Sequence, residues 1–384
     1  MRILLLSEGD PEKPFAFSGI GKNIVDNFRA AGHQVVPGDV DMHGLKRMLV
    51  GGLMWSPSRR RWIAKYRGAT LPFRVRSGAA RRHIAAHGGS VDAILQFGAT
   101  FEPRECGAIP YFLYCDSNKL LGKRSGHSPG AAFTPREYEA AVERERRIYD
   151  GARGIFVFSE RVRRSFIEDF DVPPERVVTV FAGANLDLSR VPPRGARPAD
   201  RPPTVLFVGR EFERKGGDTV LRAFAKVREA LPTARLVIIG PPDLKVRDPG
   251  VESLGFLRKD SPADWQRLID AYASADVFFF PTRYEPFGIV LAEAMFFTLP
   301  CVATDAWAIP EIVAEGETGL LAPVDDADAF ADRLLQLLTD PVRARRMGEA
   351  GRVRAERHFT WRAVTGKMLD WMQGAAAPAA AAHR

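Results

Sequence analysis

Cysteine is scarce in this 384-residue chain. Cys106, Cys115 and Cys301 are the whole supply, an odd number with no metal-ligand spacing. That excludes a disulfide framework and fits a reducing compartment. Long apolar runs are missing as well, and none approaches the roughly 20 residues needed to cross a bilayer. The opening MRILLLSEGD has too short an apolar core for a secretory leader. The expectation is a cytoplasmic protein, either free or held at the inner face of a membrane. There is no HExxH, no Walker loop and no Ser-His-Asp set around a nucleophile elbow, so zinc protease, P-loop kinase and triad hydrolase readings fall. Zinc-finger spacing and RNA-binding sheet motifs are absent too. No nucleic-acid partner is therefore expected, although the net charge of +8 suits anionic ligands in general.

Acidic residues are missing from one long stretch. From His43 to Ser90 there is no Asp or Glu, but eleven Lys or Arg, including Arg59-Arg60-Arg61 and Arg81-Arg82. Leu49, Leu53, Met54, Trp55 and Trp62 are interleaved with them. Two readings stay open. One is a solvated basic face. The other is a surface for a phosphate-rich acceptor or an anionic lipid. Each Lys or Arg near an anionic bilayer contributes about 1 kcal/mol, and the attraction fades within a Debye length. The second reading therefore means weak, salt-sensitive attachment.

The length allows two domains, each with its own core. Ile3 to Leu6 reads as a buried strand, followed by a loop, Gly19-Ile20-Gly21 and a helix to about Ala31. This is a dinucleotide-like opening, but GIG is not GxGxxG, and a loop that only needs flexible residues fits as well. Strands are expected at Gln34 to Val36, Ala93 to Phe97, Ile109 to Tyr114, Gly154 to Phe158 and Val177 to Phe181. Helices are expected at Arg76 to Ala86, Pro135 to Asp150 and Glu160 to Asp169. Such alternation predicts an α/β fold with a parallel sheet. Ligands of these sheets bind beyond the carboxyl ends of strands. Asp116 and Asn118 stand at such an end, where loop capping is the alternative role for Asp116.

Residues 186–203 hold five prolines and four arginines and read as a linker. A second sheet starts at Thr204. Its strand Val205 to Gly209 leads into a loop with Arg210 and Lys215. Arginine suits bidentate phosphate contact and lysine a point charge. Farther on, Val277 to Ala294 reads VFFFPTRYEPFGIVLAEA. The apolar strand ends at Pro281, and a helix is expected to open at Pro286, where the missing N–H costs nothing. Gly288 leaves the amides of that turn approachable, including those of Ile289 and Val290. A helix start of this kind binds anions. Glu285 and Glu293 are expected to flank it. Asp39-Val40-Asp41, Asp169-Phe170-Asp171 and Asp326-Ala327-Asp328 are Asp-x-Asp matches without phosphate context, so no metal site is expected. The last looks like helix capping.

Glu285-x7-Glu293 within EPFGIVLAEA resembles the donor-site motif of family-4 retaining glycosyltransferases. Phe207-Val208-Gly209-Arg210 with Arg214-Lys215-Gly216, about seventy residues earlier, resembles their second signature. The resemblance implies a GT-B fold: two Rossmann-like domains with parallel sheets facing across a cleft. It implies an acceptor domain at 1–185, the linker at 186–203 and a nucleotide-sugar donor domain at 204–358. A helix at 359–373 would cross back to the first domain, and 374–384 would be a disordered tail. The implied chemistry is retaining transfer from a nucleoside diphosphate sugar to a hydroxyl, in glycan, exopolysaccharide or glycolipid synthesis, with no cofactor. Arg210, Lys215 and Glu285 would be catalytic. Gly19, Gly21, Gly209, Phe287, Gly288, Ile289, Val290 and Glu293 would bind the donor, with the base near Phe256 to Arg258. Asp116 and Asn118 would face the acceptor, for example a lipid-linked glycan. Relatives carry a histidine near Asp116 and this chain does not, which leaves the acceptor open. Another GT-B enzyme, a nucleotide-sugar epimerase or a phosphorylase, remains an alternative. So does a non-catalytic sugar-nucleotide or polyanion binder.

Overall fold

The computed structural model describes residues 1–13, 19–103, 107–126, 132–193, 195, 201–246, 248 and 250–376. The chain divides into two compact units, Met1–Phe181 with Trp361–Arg384, and Ala182–Thr360. The described part of the proline-rich segment, with a short 3-10 turn at Leu188–Arg190, goes with the second unit.

The first unit contains β1 (Arg2–Ser7), α1 (Ile20–Ala30), β2 (Gln34–Asp39), α2 (Gly44–Leu53), α3 (Arg59–Gly68) and α4 (Thr70–His87). It continues with β3 (Ala93–Phe97), β4 (Tyr111–Cys115), α5 (Lys119–Arg124), α6 (Pro135–Gly151), β5 (Gly154–Val157), α7 (Glu160–Phe170) and β6 (Val177–Thr179). The strands are parallel in the order β2-β1-β3-β4-β5-β6. Strands such as Ala-Ile-Leu-Gln-Phe of β3 and Tyr-Phe-Leu-Tyr-Cys of β4 are buried along their whole length. That is why they read as continuous apolar runs rather than alternating ones. Side chains fix the helix starts. Thr134 and Glu137 form a capping box on α6, and Ser159 caps α7.

The second unit contains β7 (Thr204–Val208), α8 (Gly217–Ala230), β8 (Arg235–Ile239), β9 (Val251–Gly255), α9 (Pro262–Ser274), β10 (Val277–Phe280) and α10 (Ile289–Phe296). Then come β11 (Cys301–Thr304), α11 (Ile309–Ile312), β12 (Gly319–Ala322), α12 (Ala327–Leu338) and α13 (Pro341–His358). Its parallel order is β12-β11-β10-β7-β8-β9. Taken by order of appearance this is the 3-2-1-4-5-6 arrangement, whose direction of winding reverses between β7 and β10.

The last helix, α14 (Trp361–Ala376), belongs to the first unit and packs on α1. Trp371 meets Phe112 and Phe156 edge-on, each with ring centroids 5.9 Å apart. A Cβ at Gly154 would lie 2.3 Å from the Trp371 ring, so β5 begins with glycine. The helix runs to Ala376, past the expected end at 373, because the alanine-rich sequence favours continuing it. The rest of the expected tail, 377–384, lies outside the described residues, as does Cys106.

Two further expectations are corrected. The helix after β10 begins at Ile289 and not at Pro286, because Gly288 takes φ 112°, a left-handed value that cannot continue a helix backwards. The strand expected to reach Phe181 stops at Thr179, and Phe181 itself has φ 67°.

Candidate active site

In the second unit the winding reversal places the ends of β7 and β10 side by side. In open parallel sheets this is where ligands bind. The loop after β7 brings Lys215 there and the loop after β10 brings Glu285. Their side chains form an ion pair and are 12% and 13% exposed. The Lys215 ammonium also lies 4.9 Å from the centre of the Phe280 ring. Burial draws Lys215 below the usual lysine range, against the opposing pull of the Glu285 charge. The loop that carries Lys215 folds back over the sheet edge and largely shields its side chain. Gly216 makes that possible. It has φ 74°, and a Cβ there would lie 2.0 Å from the Pro281 carbonyl oxygen.

The same loop is pinned from both sides. Arg214 donates to the Tyr284 carbonyl at 2.7 Å and to Glu211. Arg283 pairs with Asp218 and Asp325. Gly209 touches the Lys215 stem, with 3.1 Å between the place of its absent Cβ and Lys215 Cγ. Arg210 is exposed and lies 4.9 Å from the centre of the half-exposed Phe256 ring, just past β9. The structure thus joins Lys215 with Glu285 and sets Arg210 beside Phe256.

Gly288 is the N-cap of α10 and has no capping side chain. The first amides of a helix lack intrahelical acceptors, so Ile289 and Val290 present donors beside Glu285. Phe287 is 2% exposed and packs against Phe359, so its ring is core and only its backbone can serve the site. Glu293, one turn into α10, is 2% exposed. Its Oε1 accepts from Lys259 Nζ at 2.6 Å, and its Oε2 accepts from the Tyr272 hydroxyl at 3.4 Å. Burial and the neighbouring Glu293 charge push the Tyr272 phenol well above its usual range. Lys259 donates as well to the Asn185 carbonyl at 3.0 Å.

Lys259 and Tyr272 escape sequence reading. Lys259 follows Phe256 to Arg258, the segment expected near a base, and that proximity was the only available signal.

In the first unit the expected residues have other partners. Gly19 is the N-cap of α1 at φ 90°. Gly21 packs on Pro11, with 3.0 Å from the place of its absent Cβ to Pro11 Cα. Asn118 is buried, caps α5 through the Leu121 amide and donates to Ser165 at 2.8 Å. Asp116 is exposed at the end of β4. A polar cluster that sequence reading missed lies nearby in chain order. Arg76 is 1% exposed, 2.9 Å from Glu8 and 3.7 Å from Asp41, and lies over the Tyr66 ring. Its signal is position: with Phe73, Ala80 and Ile84 it occupies the buried stripe of α4.

The Asp-x-Asp matches are occupied by the protein itself. Asp39 accepts from the Gly9 and Asp41 amides, Asp169 pairs with Arg124, and Asp326 caps α12. Among the described residues no group of three or more His, Cys, Asp or Glu gathers as a metal site would. No helix there is long and apolar enough to cross a membrane.

Two Rossmann-like units, each with a six-stranded parallel sheet, make this the GT-B fold of glycosyltransferases. Solved structures agree. Sucrose-phosphate synthase from Thermosynechococcus elongatus matches with TM-score 0.70 and 22% identity over 97% of this chain and 98% of its own. Anabaena HepE, in complex with UDP and glucose, matches with TM-score 0.65 and 17% identity over 97% and 99%. The family model for glycosyl transferases group 1 matches residues 193–354. The GDP-mannose-dependent alpha-(1-6)-phosphatidylinositol monomannoside mannosyltransferase of Mycobacterium tuberculosis is 30% identical over 282 residues, 67% of this chain and 70% of that protein. The chain belongs to the glycosyl transferases group 1 family. The D-inositol 3-phosphate glycosyltransferase of Corynebacterium aurimucosum is 35% identical over 248 residues, 59% of this chain, and the match spans only 58% of that relative's length.

Proposed function

We propose that the chain is a family-4 retaining glycosyltransferase that moves a sugar from a nucleoside diphosphate sugar to an acceptor hydroxyl, without a metal ion. The observation that carries this is the part-buried Lys215–Glu285 pair at the switch point of the second sheet, with the Lys259–Glu293 pair in the same unit. Lys215, Arg210 and the first amides of α10 supply charge and donors for a diphosphate. Glu293 suits the vicinal hydroxyls of a ribose and Glu285 those of the sugar. In the reaction the bond from the anomeric carbon to the phosphate oxygen breaks. A bond to the acceptor oxygen forms on the same face, and the acceptor proton passes to the leaving phosphate. Lys215 and Arg210 stabilise the charge left on that phosphate. The relative named for GDP-mannose and phosphatidylinositol monomannoside supports a guanosine donor and a glycolipid acceptor, and the one named for inositol 3-phosphate supports an inositol-containing acceptor. HepE with UDP keeps a uridine donor in the panel.

The test is nucleotide release from UDP- and GDP-sugars, with lipid-linked and soluble acceptors, in EDTA. Release that needs an acceptor and survives chelation is expected. Loss on chelation, restored by Mn²⁺ or Mg²⁺, contradicts the metal-free chemistry. Conversion of donor without acceptor points to an epimerase.

A further inference from the structure

Among the described residues eleven large hydrophobic side chains are exposed, and seven of them lie between Leu45 and Leu71. Most are on α2. Leu45, Met48, Leu49 and Leu53 are 69%, 73%, 59% and 69% exposed, and Trp55, just past the helix, is 64% exposed. At 100° per residue the four helical positions fall within an arc of about 140°. The buried residues of α2, Val50 and Gly51, lie on the opposite side. A surface helix of a globular protein turns its apolar stripe inward. Here the stripe faces out, and a patch of that kind on a soluble protein marks an interaction site.

The charge around the stripe selects the occupant. Lys46 stands at its margin next to Leu53, where its stem can lie along apolar surface while the ammonium reaches outward. Trp62 of α3 donates to the Gly51 carbonyl at 2.8 Å, which ties α3 to the end of α2. Arg59 and Arg60, both exposed, open α3, and Arg60 donates to the Gly126 carbonyl at 2.8 Å. No acid interrupts the segment from His43 to Ser90. An exposed Leu/Met/Trp face in a segment whose charged residues are all cations has the composition of a helix that lies in the interface of an anionic bilayer.

We propose that α2 is a membrane-docking wedge, with Leu45, Met48, Leu49, Leu53 and Trp55 entering the headgroup boundary and the exposed cations Lys46 and Arg59 pairing with anionic lipid. The proposal is independent of the sugar-transfer reading. It goes further than charge attraction alone: part of the binding should persist at high salt. The test is co-sedimentation of the full chain with vesicles of phosphatidylcholine plus phosphatidylglycerol, and with phosphatidylcholine alone. The protein should pellet with the mixed vesicles, much less with the neutral ones, and its tryptophan emission should shift to the blue. Leu45→Ser/Leu49→Ser/Leu53→Ser should fold, since all three side chains are exposed, and should bind about tenfold more weakly or worse. Trp55→Phe should lose most of the emission shift. Protein left in the supernatant with mixed vesicles at low salt overturns the proposal. So does equal binding by the triple-serine variant. A dimer of the free protein that the serine substitutions abolish also overturns it, and assigns the face to a second copy of the chain.

Discussion

The two units carry the same kind of sheet but load its carboxyl edge differently. In the second unit each site acid has one ammonium partner: Glu285 with Lys215, and Glu293 with Lys259. These are single ion pairs that an incoming diphosphate or ribose can exchange for its own contacts. In the first unit Arg76 is shared between Glu8 and Asp41, and its other bond goes to the Arg67 carbonyl. Asn118, expected to face an acceptor, spends its hydrogen bonds on a helix cap and on Ser165. Two six-stranded parallel sheets of different strand order thus carry an exchangeable electrostatic site in one unit and a fixed polar core in the other. Arg76 is also the more enclosed cation, 1% exposed against 12% for Lys215 and 41% for Lys259, and it faces two acids where each of them faces one.

The largest expected effect breaks this contrast at Lys215. Lys215→Ala should lower turnover by roughly 10²-fold or more, the scale for losing a group that holds transition-state charge. It should also destabilise the fold by about 1.5–3 kcal/mol, because the part-buried Glu285 loses its charged hydrogen-bond partner. Arg210→Ala should lower turnover on the same scale and leave denaturant stability nearly unchanged, since its side chain is exposed. Urea titrations alongside initial rates check both. Normal turnover in the two variants removes the assignment, and an undamaged Lys215→Ala fold removes the account of the pair.

A smaller effect sharpens the other side. Asn118→Ala should cost about 1 kcal/mol, the usual loss for a helix cap, and should leave nucleotide affinity unchanged. A variant with full stability but impaired transfer would return Asn118 to the acceptor site.

Much of the fold was legible because parallel strands are buried on both sides and read as apolar runs. Val277 to Phe280 and Ala93 to Phe97 are examples. Element ends were less legible. The start of α10 depends on the backbone angle of Gly288, and the proline ahead of it gave a misleading boundary. Within the site, Lys215, Glu285 and Glu293 were legible because two short motifs contain them. Their pairing was not. Lys259 reaches Glu293 from a loop 34 residues away in sequence, and no local pattern encodes such a contact. Arg76 counted as one more surface cation, since residue type predicts exposure for arginine. Its place in the stripe of α4 outweighs that tendency once Glu8 and Asp41 are packed beside it. The basic segment from His43 to Ser90 was legible as a charge pattern. The outward apolar face of α2 needed the helix and its docking side.

The central claim is that the second unit binds a nucleoside diphosphate through its exchangeable pairs. The most direct measurement is calorimetric titration of UDP and of GDP into the wild-type chain and into Glu293→Ala. The account predicts that one of the two binds the wild type. It predicts that the substitution weakens that binding by about 1.5–3 kcal/mol, the range for a hydrogen bond to a charged group. Equal affinity in a folded Glu293→Ala variant, or no binding of either nucleotide by the wild type, contradicts it.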